Sequence, residues 1–340
     1  MKAAYYIGKG KFQVGERQLP GLDPDHVRIQ VAYCGICGTD NHIFNGKMDD
    51  RVRPPQIVGH ECSGIVDEIG SNVQSFSIGD HVVVRPLDYC GKCDACKKGL
   101  THICHNLKFM GVDSVGAFQN YWDVYSRTLH KLPDEVDLKT GALVEPLAVA
   151  CHDVRRGKVS PGDFVTIIGG GPIGMLIAMV AKYRGAHVII TEINEERILL
   201  ARELGITAIN PTETSVEQYV QEQTGGAGAD VVFEVSSSQT GAELMTKLPA
   251  CRGRIVIVGI FSKPVLVDLH KFFWREIEMV GARVYEHEDY EEAINLINNK
   301  SIKLDSLITS VFTLDRIQEA FEKLNSKSNE MKILIQCSDV

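Results

Sequence analysis

Apolar positions in the first 150 residues fall into short β-like runs, "HVRIQVAY" at 26–33 and "HVVVRP" at 81–86, separated by Gly, Pro and Asp clusters. This texture predicts an irregular, barrel-like, β-rich domain. From about residue 163 the pattern becomes regular. "DFVTII" reads as a buried strand, followed by "GGGPIG" and a helical stretch over 172–184. "HVIIT" predicts the next strand and 194–204 the next helix, and "DVVFEV" and "RIVIVG" repeat the scheme with a helix between them. Strands alternating with helices indicate βαβ units and a parallel sheet. After about 286 the chain turns helix-rich and charged and ends in "MKILIQC", a closing strand. Texture alone leaves open which domain this tail joins.

A length of 340 residues favours two domains over one core. Apolar content of 44% and charged content of 24% are those of a globular protein. A net charge of -8 with no basic run argues against nucleic acid and anionic membranes as partners. The longest uninterrupted apolar run, "MLIAMVA" at 175–181, falls far short of the roughly 20 residues of a membrane span. The opening "MKAAYYIGKGKF" carries no apolar core of a signal peptide, so the expectation is a cytoplasmic protein. In that compartment ten cysteines point to metal ligands, catalytic groups or buried thiols before a disulfide frame.

"VTIIGGGPIG" sets Gly169, Gly171 and Gly174 in G-x-G-x-x-G spacing, with Pro172 and Ile173 opening the helix. The first glycine permits a tight turn, the second lets a pyrophosphate approach the backbone, and the third lets helix pack on strand. The helix N-terminus offers free N–H groups to the phosphates. Glu192 lies 18 residues past the last glycine, where an acid accepts a hydrogen bond from the ribose 2′-OH of NAD and repels a 2′-phosphate. Arg197 is either a neighbour of the adenosine edge or a solvated helix arginine.

"CGKCDACKKGLTHIC" contains Cys90, Cys93, Cys96 and Cys104, whose thiolates can close a tetrahedral shell around a structural zinc. A ferredoxin-type cluster is the rival, but no second cysteine group of that kind accompanies it. A further set is scattered: Cys37 in "YCGICGTD", His60 and Glu61 in "IVGHECSG", and Glu145 in "GALVEPLAVACHD". Cys37, His60 and a carboxylate would leave a fourth zinc position open, with Asp40 able to orient the imidazole. On residue types alone, His60 could equally be a core histidine and Glu145 a surface acid.

"GHECSGIVDEIGSNV" fits the zinc alcohol dehydrogenase pattern G-H-E-x2-G-x5-G-x2-V, and "CGICGTDNH", "CGKCDACKKGLTHIC", "GALVEPLAVACH" and "GGGPIG" stand in that family's order. The chain thus resembles, over essentially its whole length, the zinc-dependent medium-chain dehydrogenases, in the branch of sorbitol, threonine and butanediol dehydrogenases. The resemblance implies a GroES-like catalytic domain over 1–148, completed by 287–340, and a Rossmann NAD-binding domain over 149–286, with the active site in the cleft. It implies two zinc ions per chain: a catalytic one on Cys37, His60 and Glu145, with Glu61 able to enter the shell, and a structural one on the four-cysteine loop. Glutamate at 145, where ethanol-type enzymes carry cysteine, points to the polyol-like branch. Cys34 is then a small buried thiol, so the pair with Cys37 is not a redox motif.

The same resemblance makes Thr39 the proton acceptor from the substrate and passes the proton towards His42 and solvent. Val235, Ser236, Gly259 and Ile260 would line the nicotinamide side, and Arg283 would either reach the pyrophosphate or sit on the surface. The expected reaction is NAD-dependent oxidation of a secondary alcohol in a polyol, sugar acid or vicinal diol to the ketone, by a homodimer or homotetramer. The alternative within enzymes is a threonine-like amino-alcohol dehydrogenase. A zinc-dependent binding module or a non-catalytic relative fits less well with a complete second ligand set.

Overall fold

The computed structural model describes residues 1–326 and 329–340. The chain divides into two compact units, one of Met1–Glu145 with Glu286–Val340, the other of Pro146–Tyr285.

In the first unit the strand His26–Gly35 is the hub of a seven-stranded sheet. It pairs antiparallel with Glu61–Ile69 on one side and with Lys332–Gln336 on the other, and Tyr121–Tyr125 also pairs with it. His81–Val84 and Leu129–Lys131 extend the sheet beyond Glu61–Ile69, while Ile308–Thr313 extends it beyond Lys332–Gln336. The C-terminal tail is therefore part of this unit, a matter the local texture left open. Ile308–Thr313 escaped the apolar pattern because its side chains alternate between partly buried and exposed. Beneath the sheet Phe12, Phe44, Phe118 and Phe321 form an aromatic cluster with ring centroids 4.7–6.4 Å apart, including stacked and edge-on pairs. A short two-stranded ribbon, Leu87–Asp88 with Lys108–Phe109, closes the base of the cysteine-rich lobe.

The second unit is a six-stranded, wholly parallel sheet in the spatial order 207–209, 187–191, 164–168, 229–234, 249–257, 278–281. Strand Phe164–Ile168 is buried along nearly all its length, as a central parallel strand covered on both faces must be. Helix Pro172–Tyr183 begins with Pro172 in its first turn, and the following helices are capped by side chains of Asn194, Ser215 and Ser238 that accept backbone N–H bonds. The order reverses at Phe164–Ile168: the chain runs outward to 187–191 and 207–209, then returns to 229–234 on the opposite side. Ligands of open α/β sheets bind at the carboxyl ends of the strands at such a reversal. The apolar pattern gives no strand at Thr207–Ile209 or Glu278–Gly281, since three or four residues are too few to show a period, and no helix at Val216–Gln223. Among the described residues no helix is long and apolar enough to cross a membrane.

Candidate active site

The four-cysteine loop folds as a compact knot. Sγ of Cys93 lies 3.5 Å from that of Cys96 and 3.7 Å from that of Cys104, which is 3.5 Å from Cys90. A tetrahedral zinc–thiolate shell with bonds of about 2.3 Å would set its sulfurs about 3.8 Å apart, so the four side chains fit that metal with little movement. All four are free thiols, with no disulfide between them. Backbone N–H groups of Lys92 and Cys93, helped by Asn106, draw the Cys90 thiol down to about 6, and those of Cys96 and His105 lower Cys93. Amides aimed at sulfur favour the thiolate, the form that binds metal.

The second set gathers around the hub strand. Cys37 follows strand His26–Gly35 by two residues and caps helix Gly38–Phe44: its N–H donates to Asp40 Oδ2 at 3.0 Å. His60 precedes strand Glu61–Ile69, and the register Gly35↔Glu61 brings it beside Cys37. Ligand atoms of Cys37, His60 and Glu61 all lie within 4.8 Å of one another. The His60 ring is buried, edge-on to Phe109 at 4.9 Å, with Nδ1 3.6 Å from Oδ1 of the fully buried Asp40. Burial opposes a charge on His60, yet the negative charges of Asp40 and Cys37 outweigh it and raise its pKa well above the usual value. Neither that Asp40 oxygen nor His60 Nδ1 completes a hydrogen bond, as expected of a ligand cluster that a cation pulls together.

Glu61 belongs to this close group. Glu145 is 6% exposed in the first turn of helix Val144–Arg156, and its charge reaches Lys332, the partner of Glu61. Lys332 is the residue that sequence reasoning missed. Its Nζ donates to both carboxylate oxygens of Glu61, at 2.8 and 2.7 Å, and to the Ile36 carbonyl at 3.3 Å. Burial alone would lower the Lys332 pKa, but Glu61 and Cys37 reverse the sign and raise it. Gly35 makes room for this pair: a Cβ there would come 2.2 Å from Glu61 Oε2. A lysine 271 residues from its partner leaves no local signal.

Thr39 is partly buried in the first turn of the Cys37-capped helix and His42 is exposed in its last turn. Burial, then the charge of Lys47, lowers the His42 pKa. Cys34 is fully buried.

In the second unit Gly169 adopts φ +107°, and a Cβ on Gly174 would strike the Gly169 carbonyl oxygen at 1.9 Å. Gly171 caps the helix and a Cβ there would meet only the Arg197 guanidinium, at 3.8 Å, so the turn keeps open space above it. Pro172 and Ile173 are partly buried in the first helical turn. Glu192 accepts from the N–H groups of Gly170, Ile193 and Asn194 at 3.0, 2.7 and 3.0 Å, and Arg197 stands 3.6 Å from it. Acid, arginine and glycine turn therefore meet. Ser236 packs against Gly169 across the strand reversal, and Gly259 lies against Ser237 and the Glu234 carboxylate. Val235 is partly buried, and Ile260 and Arg283 are exposed. Glu234, also unforeseen, is fully buried and accepts bonds from Ser236 and Ser237, which fastens the loop beyond this strand.

Residues 23–134 match the alcohol dehydrogenase GroES-like domain and residues 172–299 the zinc-binding dehydrogenase domain. The chain belongs to the zinc-dependent medium-chain alcohol dehydrogenase family. It is 52% identical to 2-dehydro-3-deoxy-L-galactonate 5-dehydrogenase of Pseudoalteromonas atlantica, over 99% of both chains. The crystal structure of 2R,3R-butanediol dehydrogenase from Bacillus subtilis superposes with a TM-score of 0.91 at 32% identity, covering 98% of this chain and 99% of that one. An alcohol dehydrogenase from Escherichia coli, solved in complex with NADH, superposes with a TM-score of 0.92 at 27% identity, covering 99% of both chains.

The dehydrogenase thus carries two ligand sets of different design: a closed ring of thiols, and a mixed sulfur, nitrogen and oxygen group that can leave a coordination position free. Elemental analysis of the purified dehydrogenase should give one zinc for each set. Cys93→Ser should lose one of them and lower the melting temperature, because a structural zinc contributes folding free energy directly. His60→Ala should lose the other and abolish turnover while the protein stays folded. Full zinc content in both variants would overturn the assignment.

Proposed function

We propose that the protein oxidises a secondary alcohol in a sugar acid, polyol or vicinal diol to the ketone, using zinc and NAD. The observation that carries this reading is the Cys37, His60 and Glu61 group backed by Asp40, in a chain whose second unit presents a glycine turn closed by Glu192. Zinc held by Cys37, His60 and Glu145 would lower the pKa of the substrate hydroxyl, and NAD would accept the hydride. The chain's own residues do the rest. Asp40 faces the His60 ring, its Oδ1 3.6 Å from Nδ1, where it would orient the imidazole as a ligand. Lys332 holds the Glu61 carboxylate, and that ion pair would have to open for Glu61 to act as a ligand. Thr39 takes the hydroxyl proton and hands it towards His42, its neighbour one helical turn on and exposed to water.

A polar wall that includes Glu145 favours substrates with a second hydroxyl beside the reacting carbon, since an alkyl group would leave a buried acceptor unpaired. The relative acting on a deoxy-galactonate supports the sugar acids as first candidates. Measuring kcat/KM with NAD for an aldonate, sorbitol, 2,3-butanediol, threonine and ethanol should rank a sugar acid or polyol first and ethanol far behind. Threonine in first place would move the protein to the amino-alcohol dehydrogenases. Thr39→Val should lower kcat by about 100-fold or more while zinc content stays unchanged.

Coenzyme choice rests on Glu192. Its carboxylate accepts backbone N–H bonds at the glycine turn and would face a 2′-phosphate with like charge. Arg197 beside it is neutralised by the same carboxylate. Glu192→Ser should therefore raise kcat/KM for NADP and lower it for NAD, because Arg197 is then free to pair with the phosphate. An unchanged ratio would show that Glu192 does not meet the ribose.

The free strand Glu278–Gly281 at the sheet edge carries exposed Met279, and the preceding helix exposes Leu269, Phe273 and Trp274. An unpaired edge beside apolar side chains is suited to meet a second copy of the chain, giving a homodimer or homotetramer. Light scattering should find a dimer or larger for the wild type and a monomer for Phe273→Glu with Trp274→Glu; a wild-type monomer would overturn this. Ten free thiols suit a reducing compartment, the cytoplasm.

A further inference from the structure

His130, His287 and Glu291 meet at one edge of the first unit and take no part in the proposed reaction. His130 lies on Leu129–Lys131, the last strand of the seven-stranded sheet. His287 and Glu291 stand four residues apart in the first turns of helix His287–Asn298, which puts them on one face. His130 Nδ1 is 2.6 Å from Glu291 Oε1, and His287 Nε2 is 4.0 Å from the same oxygen. The two imidazoles lie with centroids 4.6 Å apart and planes tilted by 34°.

We propose that His130, His287 and Glu291 form a further binding site for a divalent cation of the zinc type, separate from the two cysteine-containing sets. Two imidazoles and a carboxylate are a donor set for zinc, nickel or copper rather than for magnesium or calcium. In a tetrahedral shell with bonds of about 2.0–2.1 Å, neighbouring nitrogen and oxygen donors stand about 3.3 Å apart. The separations of 2.6 and 4.0 Å lie on either side of that value, and both involve the Glu291 oxygen, on a half-exposed side chain that can shift between the rings.

His130 is the fixed member. It is 4% exposed, and Tyr290 stacks on it at 4.8 Å while its own hydroxyl donates to the Val84 carbonyl at 2.9 Å. His130 Nε2 is buried without a hydrogen-bond partner. The exposure of His287 and Glu291 leaves solvent to complete the shell. A hydrogen bond between His130 and Glu291 would need no third residue; the second imidazole brought to the same carboxylate is what marks a cation site. Arg85 acts on His130 with a charge that opposes a cation, and so does the positive end of the helix, so binding is weaker than in the thiolate set.

The test uses the full-length protein with its tightly held zinc in place, desalted and then titrated with Zn2+ by calorimetry. The wild type should show one further saturable site per chain. His287→Ala and Glu291→Gln, both at exposed positions, should each weaken it at least tenfold and remove the accompanying rise in melting temperature, while turnover without added zinc stays at the wild-type value. No further site in the wild type overturns the proposal, and so does a site whose affinity is unaltered in either variant. Turnover without added zinc reports the dehydrogenase reading separately, so the two can fail independently.

Discussion

The antiparallel pairing of His26–Gly35 with Glu61–Ile69 is the constraint on which the metal group depends. Its register sets Gly35 opposite Glu61 and Cys34 opposite Cys62, which delivers Cys37 from the end of one strand and His60 from the start of the other. A slip of one residue would turn Glu61 to the opposite face of the sheet and separate it from Lys332. The closing strand Lys332–Gln336, on the other side of the hub, supplies that lysine. Three segments far apart in the chain are locked together before any metal binds.

The cluster so assembled is electrostatically demanding. Glu61 and Lys332 are both buried, and so are Asp40 and His60. Breaking a buried ion pair by removing one partner leaves an uncompensated charge, at a cost of about 3–5 kcal/mol. The bidentate contact from Lys332, together with its bond to the Ile36 carbonyl, satisfies the lysine and leaves Glu61 a defined resting position beside Cys37 and His60. Asp40 does two tasks, capping the Cys37 helix turn with one oxygen and facing His60 with the other. Local folding and metal-site geometry thus share one carboxylate.

In the second unit the same economy appears at the strand reversal. Gly169 must approach Ser236, Gly174 must approach Gly169, and Gly259 must lie against the Glu234 carboxylate, so each position excludes a side chain. Glu234 ties Ser236 and Ser237 down at the end of Ala229–Glu234, and Glu192 ties the glycine turn to the end of the neighbouring strand. The loops at the carboxyl ends of the sheet are thereby held rigid where a dinucleotide would lie, which reduces the entropy lost on binding it.

Sequence alone was sufficient wherever chemistry repeats at short range. The C-x2-C-x2-C-x7-C loop needs only a few tight turns to bring its thiols together, and the glycine turn between strand and helix is a local structure whose steric demands fall on the same few residues. Alternating elements from 163 onward likewise announced the parallel sheet, apart from the short strands Thr207–Ile209 and Glu278–Gly281. Cys37, His60 and Glu145 were named as a set only through family resemblance, because spacings of 23 and 85 residues have no meaning without a fold. What tertiary structure decided is what long-range pairing brings together: Lys332 on Glu61, the tail strand in the first sheet, Glu61 beside Cys37 and His60, and His130 against His287 and Glu291. Strand register and helix docking act between residues hundreds of positions apart, and neither hydrophobic period nor local spacing carries that information.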